Sequence, residues 1–341
     1  MTTEEFIAEW HNEEDRVLVH TSGSTGEPKP MWVEKRRMEA SARTTCAFLG
    51  LKPGDTALLC LPLDFIAGKM MVVRALTCGL RLISVEPSSH PLHNPSSITQ
   101  HPTPNTHHPT PITFAAMVPL QVYNSLQVAE ERECLRQVDH LIIGGGAIDD
   151  KLATELKSFP NAVWSTYGMT ETLSHIALRR LSGSDATEWY TPFEGVHISL
   201  ADDGCLVIDA PMVCADILKT NDIAEIKDGC FRILGRKDNV VCSGGVKIQI
   251  EEVERILRQQ TDSPFMISKC KDQRFGEAVV LLVEKETTET IRTLCQQVLP
   301  KYWQPRYYYS VDHLPTTETG KPARKETERL ISRLRDQAPS E

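Results

Sequence analysis

The chain has 341 residues, 40% of them apolar and 24% charged, which is enough for two domains with cores of their own. Its formal charge of −9 lacks the basic excess of a nucleic-acid or anionic-membrane partner, and no run reaches the ~18 apolar residues of a membrane span. The ten cysteines are scattered from Cys46 to Cys295, mostly inside apolar runs, and point to a reduced, cytoplasmic protein without zinc.

In chain order, the acidic opening has no apolar signal core. RVLVHT (16–21) reads as a buried strand and runs into HTSGSTGEPKP (20–30). KRRMEASARTTCAFLG (35–50) and AGKMMVVRALTCG (67–79) have helical spacing, and each ends at a glycine suited to a C-cap. TALLC (56–60), LRLISV (80–85), DHLIIGG (139–145) and NAVWSTYG (161–168) read as strands. The alternation predicts an α/β fold with a largely parallel sheet, which binds ligands at the carboxyl ends of its strands. Residues 86–111 hold seven prolines and five histidines. They lack the fixed helical or turn spacing of a metal site, so a mobile surface loop is expected rather than a metal site.

From about residue 195 the pattern changes. HISLADDGCLVI and IAEIKDGCFRIL read as hairpins on Asp-Gly turns. An amphipathic helix, IEEVERILRQQ (250–260), follows, then strand-like FMISKC and EAVVLLVE, a helix near 288–299 and a final YYYSV strand. This is a compact α+β module, a second and smaller domain.

The glycine-rich stretch after the first strand could surround phosphate oxygens with backbone N–H groups. Thr21, Ser22, Ser24 and Thr25 add hydroxyls, Gly23 and Gly26 add freedom, and Lys29 adds charge. Its spacing is not that of the P-loop, because no Ser or Thr follows Lys29. Taken alone it is equally a plain turn.

TSGSTGEPK does not stand alone. YGMTET (167–172), KTND (219–222), GRKDNVVCSGGVKIQIEEVE (235–254), PTTETGKPARK (315–325) and GGGAI (144–148) follow in order. Together they resemble the signature motifs of the AMP-forming acyl-CoA synthetase, or acyl-adenylate-forming, family. The resemblance implies a large N-terminal α/β domain (1–236), shortened at its start, and a smaller mobile α+β domain (237–341) with its hinge at Asp238. It implies ATP, Mg2+ and coenzyme A as reactants and cofactors. A carboxylate and Mg-ATP would give acyl-AMP and pyrophosphate, and the CoA thiol would then displace AMP.

The resemblance also assigns roles. Residues 21–29 would hold the β- and γ-phosphates. Gly144, Gly145, Gly146 and Ala147 would border the adenine, with Tyr167 stacked on it. Thr170 would bond the α-phosphate, and Glu171 would ligate magnesium. Asp222 would accept from the ribose hydroxyls, and Arg236 would contact ribose or phosphate. Lys321 would bridge the attacking carboxylate and the α-phosphate. Gly244, Gly245 and Lys247 would face the site in the thiol step.

The acid is less legible. LPLDFIAG (61–68) occupies a family motif, with Phe65 where a histidine usually stands. Lys69 and Arg74 follow on a helix, and a cation near the pocket would suit an acid with a second carboxylate. His175 and Arg179 could contact it or lie on a surface. PLDFIAGKMMVVRAL, AAMVPLQVYNSL and STYGMTETLSHIALRRLSG are most similar to the o-succinylbenzoate–CoA ligase branch, which serves menaquinone biosynthesis. The partner expected is therefore a small aromatic or dicarboxylic acid, and a homodimer is left open. A ligase for another aryl or short acyl acid, or a non-catalytic nucleotide-binding scaffold, are the alternatives. Two departures stand out: Pro30 replaces a glycine and removes a donor, and Asn221 replaces a turn glycine.

Overall fold

The computed structural model describes residues 1–20, 30–93, 111–317 and 322–337. The phosphate-loop residues 21–29, residues 94–110 and Lys321 therefore lie outside the described residues.

Helix α1 (Thr3–Trp10) opens on a Thr2/Glu5 capping box and buries Phe6 and Trp10. Strands β1 (Arg16–His20) and β2 (Pro30–Glu34) pair antiparallel, His20 opposite Pro30, as a separate two-stranded sheet. The first strand therefore does not join the parallel sheet, because its partner is the strand just beyond the loop. Helices α2 (Lys35–Leu49) and α3 (Ile66–Cys78) follow, ended by Gly50 and Gly79, both at φ 68°. Both caps fall where the sequence places them.

The main sheet has seven strands in the order β4 (Arg81–Ser84), β3 (Thr56–Leu59), β5 (Phe114–Met117), β6 (His140–Ile143), β7 (Ala162–Gly168), β8 (His175–Arg180), β9 (Thr191–Pro192). The pairs from β4 to β7 are parallel, and β8 and β9 add antiparallel. Its interior strands are apolar, as a sheet covered on both faces requires. One core cluster joins this sheet to α1, α2 and α3, and a second joins it to helices Pro119–Gln127, Ala129–Arg136 and Asp150–Lys157.

Strands β10 (His197–Leu200), β11 (Cys205–Asp209), β12 (Leu218–Lys227) and β13 (Cys230–Arg236) make an antiparallel sheet. Asn221 lies inside β12 and has no positive φ, so it is a strand residue and not the turn residue expected. Beyond the short turn Lys237–Asn239 lies a further sheet of β14 (Val240–Ser243), β15 (Val246–Gln249), β16 (Phe265–Asp272), β17 (Gly276–Glu284) and β18 (Tyr307–Val311). Helices Ile250–Arg258 and Thr288–Val298 share its main core cluster, and Ile331 of helix Arg324–Gln337 packs on Val280 and Leu282. All ten cysteines are free thiols, and no helix among the described residues is long and apolar enough to cross a membrane.

Candidate active site

The carboxyl ends of β6 and β7 gather several of the motif residues. Gly144 leaves β6 with its N–H bonded to the Met117 carbonyl (3.0 Å), and a Cβ there would strike the Thr166 hydroxyl. Gly145 takes φ 79°, and Gly145, Gly146 and Ala147 lie exposed. Tyr167 comes from β7, its ring edge-on to Phe231 at 5.0 Å. Its hydroxyl donates to Asp222 Oδ2 at 2.6 Å, reaching from the main sheet to β12. Burial, then the Asp222 charge, push the Tyr167 phenol far above its ordinary range, so it stays a donor.

Asp222 lies opposite Arg236 in the β12–β13 register, and Arg236 Nη1 reaches its other oxygen at 3.1 Å. Arg236 also grips Asp238 with two bonds of 2.9 Å. Burial raises the Asp238 carboxyl, but the Arg236 hydrogen bonds and charge outweigh it and hold its pKa low. Tyr167, Asp222, Arg236 and Asp238 are thus one continuous network.

After β7 the chain makes a tight reversal. Gly168 is obligatory because a Cβ there would run into the Ser174 carbonyl. Thr170 and Glu171 form a 3-10 turn with Thr172; Thr170 is buried, whereas Glu171 is exposed with no ion-pair partner among the described residues. A hard, exposed carboxylate of this kind could serve as one magnesium ligand; no cluster of three or more His, Cys, Asp or Glu side chains occurs among the described residues, here or elsewhere. Leu173 then takes φ 64°, ψ −39°, and Ser174 N–H bonds the Thr172 carbonyl at 2.7 Å, a γ-turn of the strained hand.

This reversal delivers Ser174 and His175 onto α2 and α3. His175 is 7% exposed; its Nδ1 lies 3.1 Å from Ser174 Oγ and its Nε2 3.0 Å from Thr45 Oγ1 on α2. Burial first, and then the Arg74 charge, push its pKa well below that of free imidazole. Arg74, 2% exposed, donates through Nη2 to Ser174 Oγ at 2.8 Å, while Nη1 meets only the Met71 sulfur at 3.8 Å and Nε has no partner. No carboxylate pairs with it among the described residues. Burial lowers its pKa to about 10, so it stays a cation at neutral pH.

The remaining pocket candidates lie elsewhere. Phe65 is half-buried as the residue preceding α3. Lys69 Nζ bonds the Leu18 carbonyl at 2.8 Å and sits 5.4 Å over the Phe6 ring, tying α1 and β1 to α3. Arg179 lies over Tyr190, 5.2 Å from the ring centroid. Gly244 and Gly245, φ 57° and 85°, form the two-residue turn between β14 and β15, with Lys247 close behind and exposed. Behind His175 is a cavity of about 20 Å³ walled by Phe193, Val196 and Met212, room for a water. Of the His/Pro-rich stretch, His90 meets the buried Glu131 (3.0 Å), which also accepts from Ser125 (2.7 Å). Glu131 is carried by the helix Ala129–Arg136. Thr45 and Ser174 were not singled out by the sequence; nothing in one dimension relates Thr45 to a residue 130 positions away.

The chain belongs to the AMP-binding enzyme family, whose model matches residues 4–210, and it is an AMP-forming acid–CoA ligase of that family. Among curated relatives, a 2-succinylbenzoate–CoA ligase of Geobacillus sp. (strain WCH70) is 24% identical over 96% of this chain and 71% of its own. Among solved structures, the acyl-CoA synthetase (AMP-forming)/AMP-acid ligase II-like protein of Dyadobacter fermentans is 30% identical with TM-score 0.63. The match covers 96% of this chain and 93% of that one. The O-succinylbenzoate coenzyme A synthetase of Bacillus subtilis, in complex with ATP and magnesium ion, shares the fold at TM-score 0.73 and 22% identity, covering 91% and 69%.

Proposed function

We propose that this ligase activates an acid carrying a second carboxylate, o-succinylbenzoate being the acid that fits best. The observation that carries the reading is Arg74. A guanidinium held entirely out of water without an anion costs several kcal/mol, and two of its donor nitrogens have no oxygen to meet. A substrate carboxylate would supply the missing acceptor, whereas a fatty acid would leave the charge unpaired. The names of the curated relatives point the same way.

In this reading ATP lies across the ends of β6 and β7, adenine against Tyr167 and ribose on Asp222. Thr170 would donate to the α-phosphate, and Glu171 would hold a magnesium ion, which would offset the phosphate charge. Residues 21–29 would hold the outer phosphates, as the family resemblance implies. Lys321 bridges acid and α-phosphate in the first step. The unit 237–341 turns about Asp238, and Gly244, Gly245 and Lys247 then face the thiol of CoA.

The test is acid-dependent ATP–pyrophosphate exchange with o-succinylbenzoate, benzoate, succinate and short fatty acids. The expected result is a clear preference for o-succinylbenzoate, lost by at least about 2 kcal/mol, roughly thirtyfold in kcat/KM, in Arg74→Met. Lys321→Ala should abolish most exchange with every acid. A preference for a fatty acid sinks the assignment.

A further inference from the structure

Around Arg74 the hydrogen bonds leave little freedom in where each proton sits. Thr45 Oγ1 lies 3.1 Å from the Ser41 carbonyl one turn back on α2, an acceptor that can only receive. Its single proton spent there, Thr45 must accept from His175 Nε2. His175 Nδ1 is then the acceptor, and Ser174 Oγ donates to it while accepting from Arg74 Nη2. Each hydroxyl receives one bond and gives one, all in the same direction: Arg74 to Ser174 to His175 to Thr45 to the Ser41 carbonyl. Thr45 is fully buried, so water does not compete at that station. Ser174 is held at its station by the Leu173 γ-turn, and Thr172 Oγ1 bonds its carbonyl at 2.8 Å.

We propose that Ser174, His175 and Thr45 are positioning residues for Arg74: their one-way hydrogen-bond chain fixes His175 as the Nε2–H tautomer, occupies Nη2, and thereby decides which arginine donors stay free for the acid's second carboxylate. The proposal rests on the diacid reading above. It explains a feature that reading leaves aside, namely why a histidine beside the anion site has both ring nitrogens engaged by protein. His175 acts through Arg74 and not by touching substrate.

Two measurements test it. Long-range 1H–15N correlation of the imidazole should show the Nε2–H tautomer in the resting protein; the Nδ1–H tautomer overturns the chain whatever the substrate is. Kinetically, Thr45→Val removes the acceptor of His175 Nε2 with little change of shape. It should raise KM for o-succinylbenzoate about tenfold while leaving KM for ATP and for benzoate within about twofold, and Thr45→Ser should restore the wild-type ratio. Equal losses for both acids and for ATP would mean a purely structural role and overturn the proposal. Arg74→Met separates the two ideas. If it removes the discrimination and Thr45→Val does not, the relay fails and the diacid reading stands; if Arg74→Met keeps the discrimination, the diacid reading fails.

Discussion

His175 shows how far burial can change what a residue does. Imidazole titrates near pH 6.5 in an unfolded chain, but in the fold burial and the neighbouring Arg74 hold its pKa well below that. Between the two values the unfolded chain binds more protons than the folded one, so stability rises with pH there. The contribution of His175 is complete above about pH 6.5 and is lost as pH falls toward its folded pKa, by up to about 1.4 kcal/mol per pH unit. Urea unfolding at pH 7.5, 6.5 and 5.5 should show that slope, and His175→Gln should flatten it. The motif residues Tyr167, Asp222 and Arg236 were legible in the sequence as a set, and the structure brings them within hydrogen-bond reach of one another. The use of His175 was not legible, because its partners arrive from α2, α3 and the β7–β8 reversal.

At the scale of elements, glycine marks the places where chain meets chain. Gly168 faces the backbone of Ser174 and His175 so closely that Gly168→Ala must open the β7–β8 reversal. It should cost about 1–3 kcal/mol in a melting experiment, and exchange activity should fall further than stability, because Thr170, Glu171 and Ser174 all hang from that turn. Helices α2 and α3 were readable because each pairs a helical period with a glycine at its left-handed cap. Strand β5 was not: Phe-Ala-Ala-Met is four residues long, and burial on both faces removes the alternation that would announce it. The partner of β1 was equally hidden, since an unbroken apolar run says nothing of whether a hairpin or a parallel sheet will receive it.

For the whole molecule, the change of pattern after residue 195 falls where the antiparallel sheet β10–β13 begins, and the later sheet and its helices share a core cluster, although β18 joins β17 parallel. That unit is clamped internally by Glu254, 3% exposed, which takes a bidentate bond from Arg324 (2.8 and 2.9 Å) and another from the Ile267 amide (3.2 Å). Arg324→Met would strand the carboxylate, with Arg258 at 3.3 Å as its remaining cation. The cost should be about 3 kcal/mol, seen as an earlier thermal transition that added ATP only partly reverses. The strap between the sheets has a different weakness. Arg236 holds Asp238 while Lys237, between them, holds Asp203 at 2.7 Å, and these charges are partly open to solvent. With a Debye length of about 10 Å at 0.1 M salt and about 3 Å at 1 M, such clips loosen as ions are added, so the stiffness of the strap at Asp238 becomes a function of ionic strength.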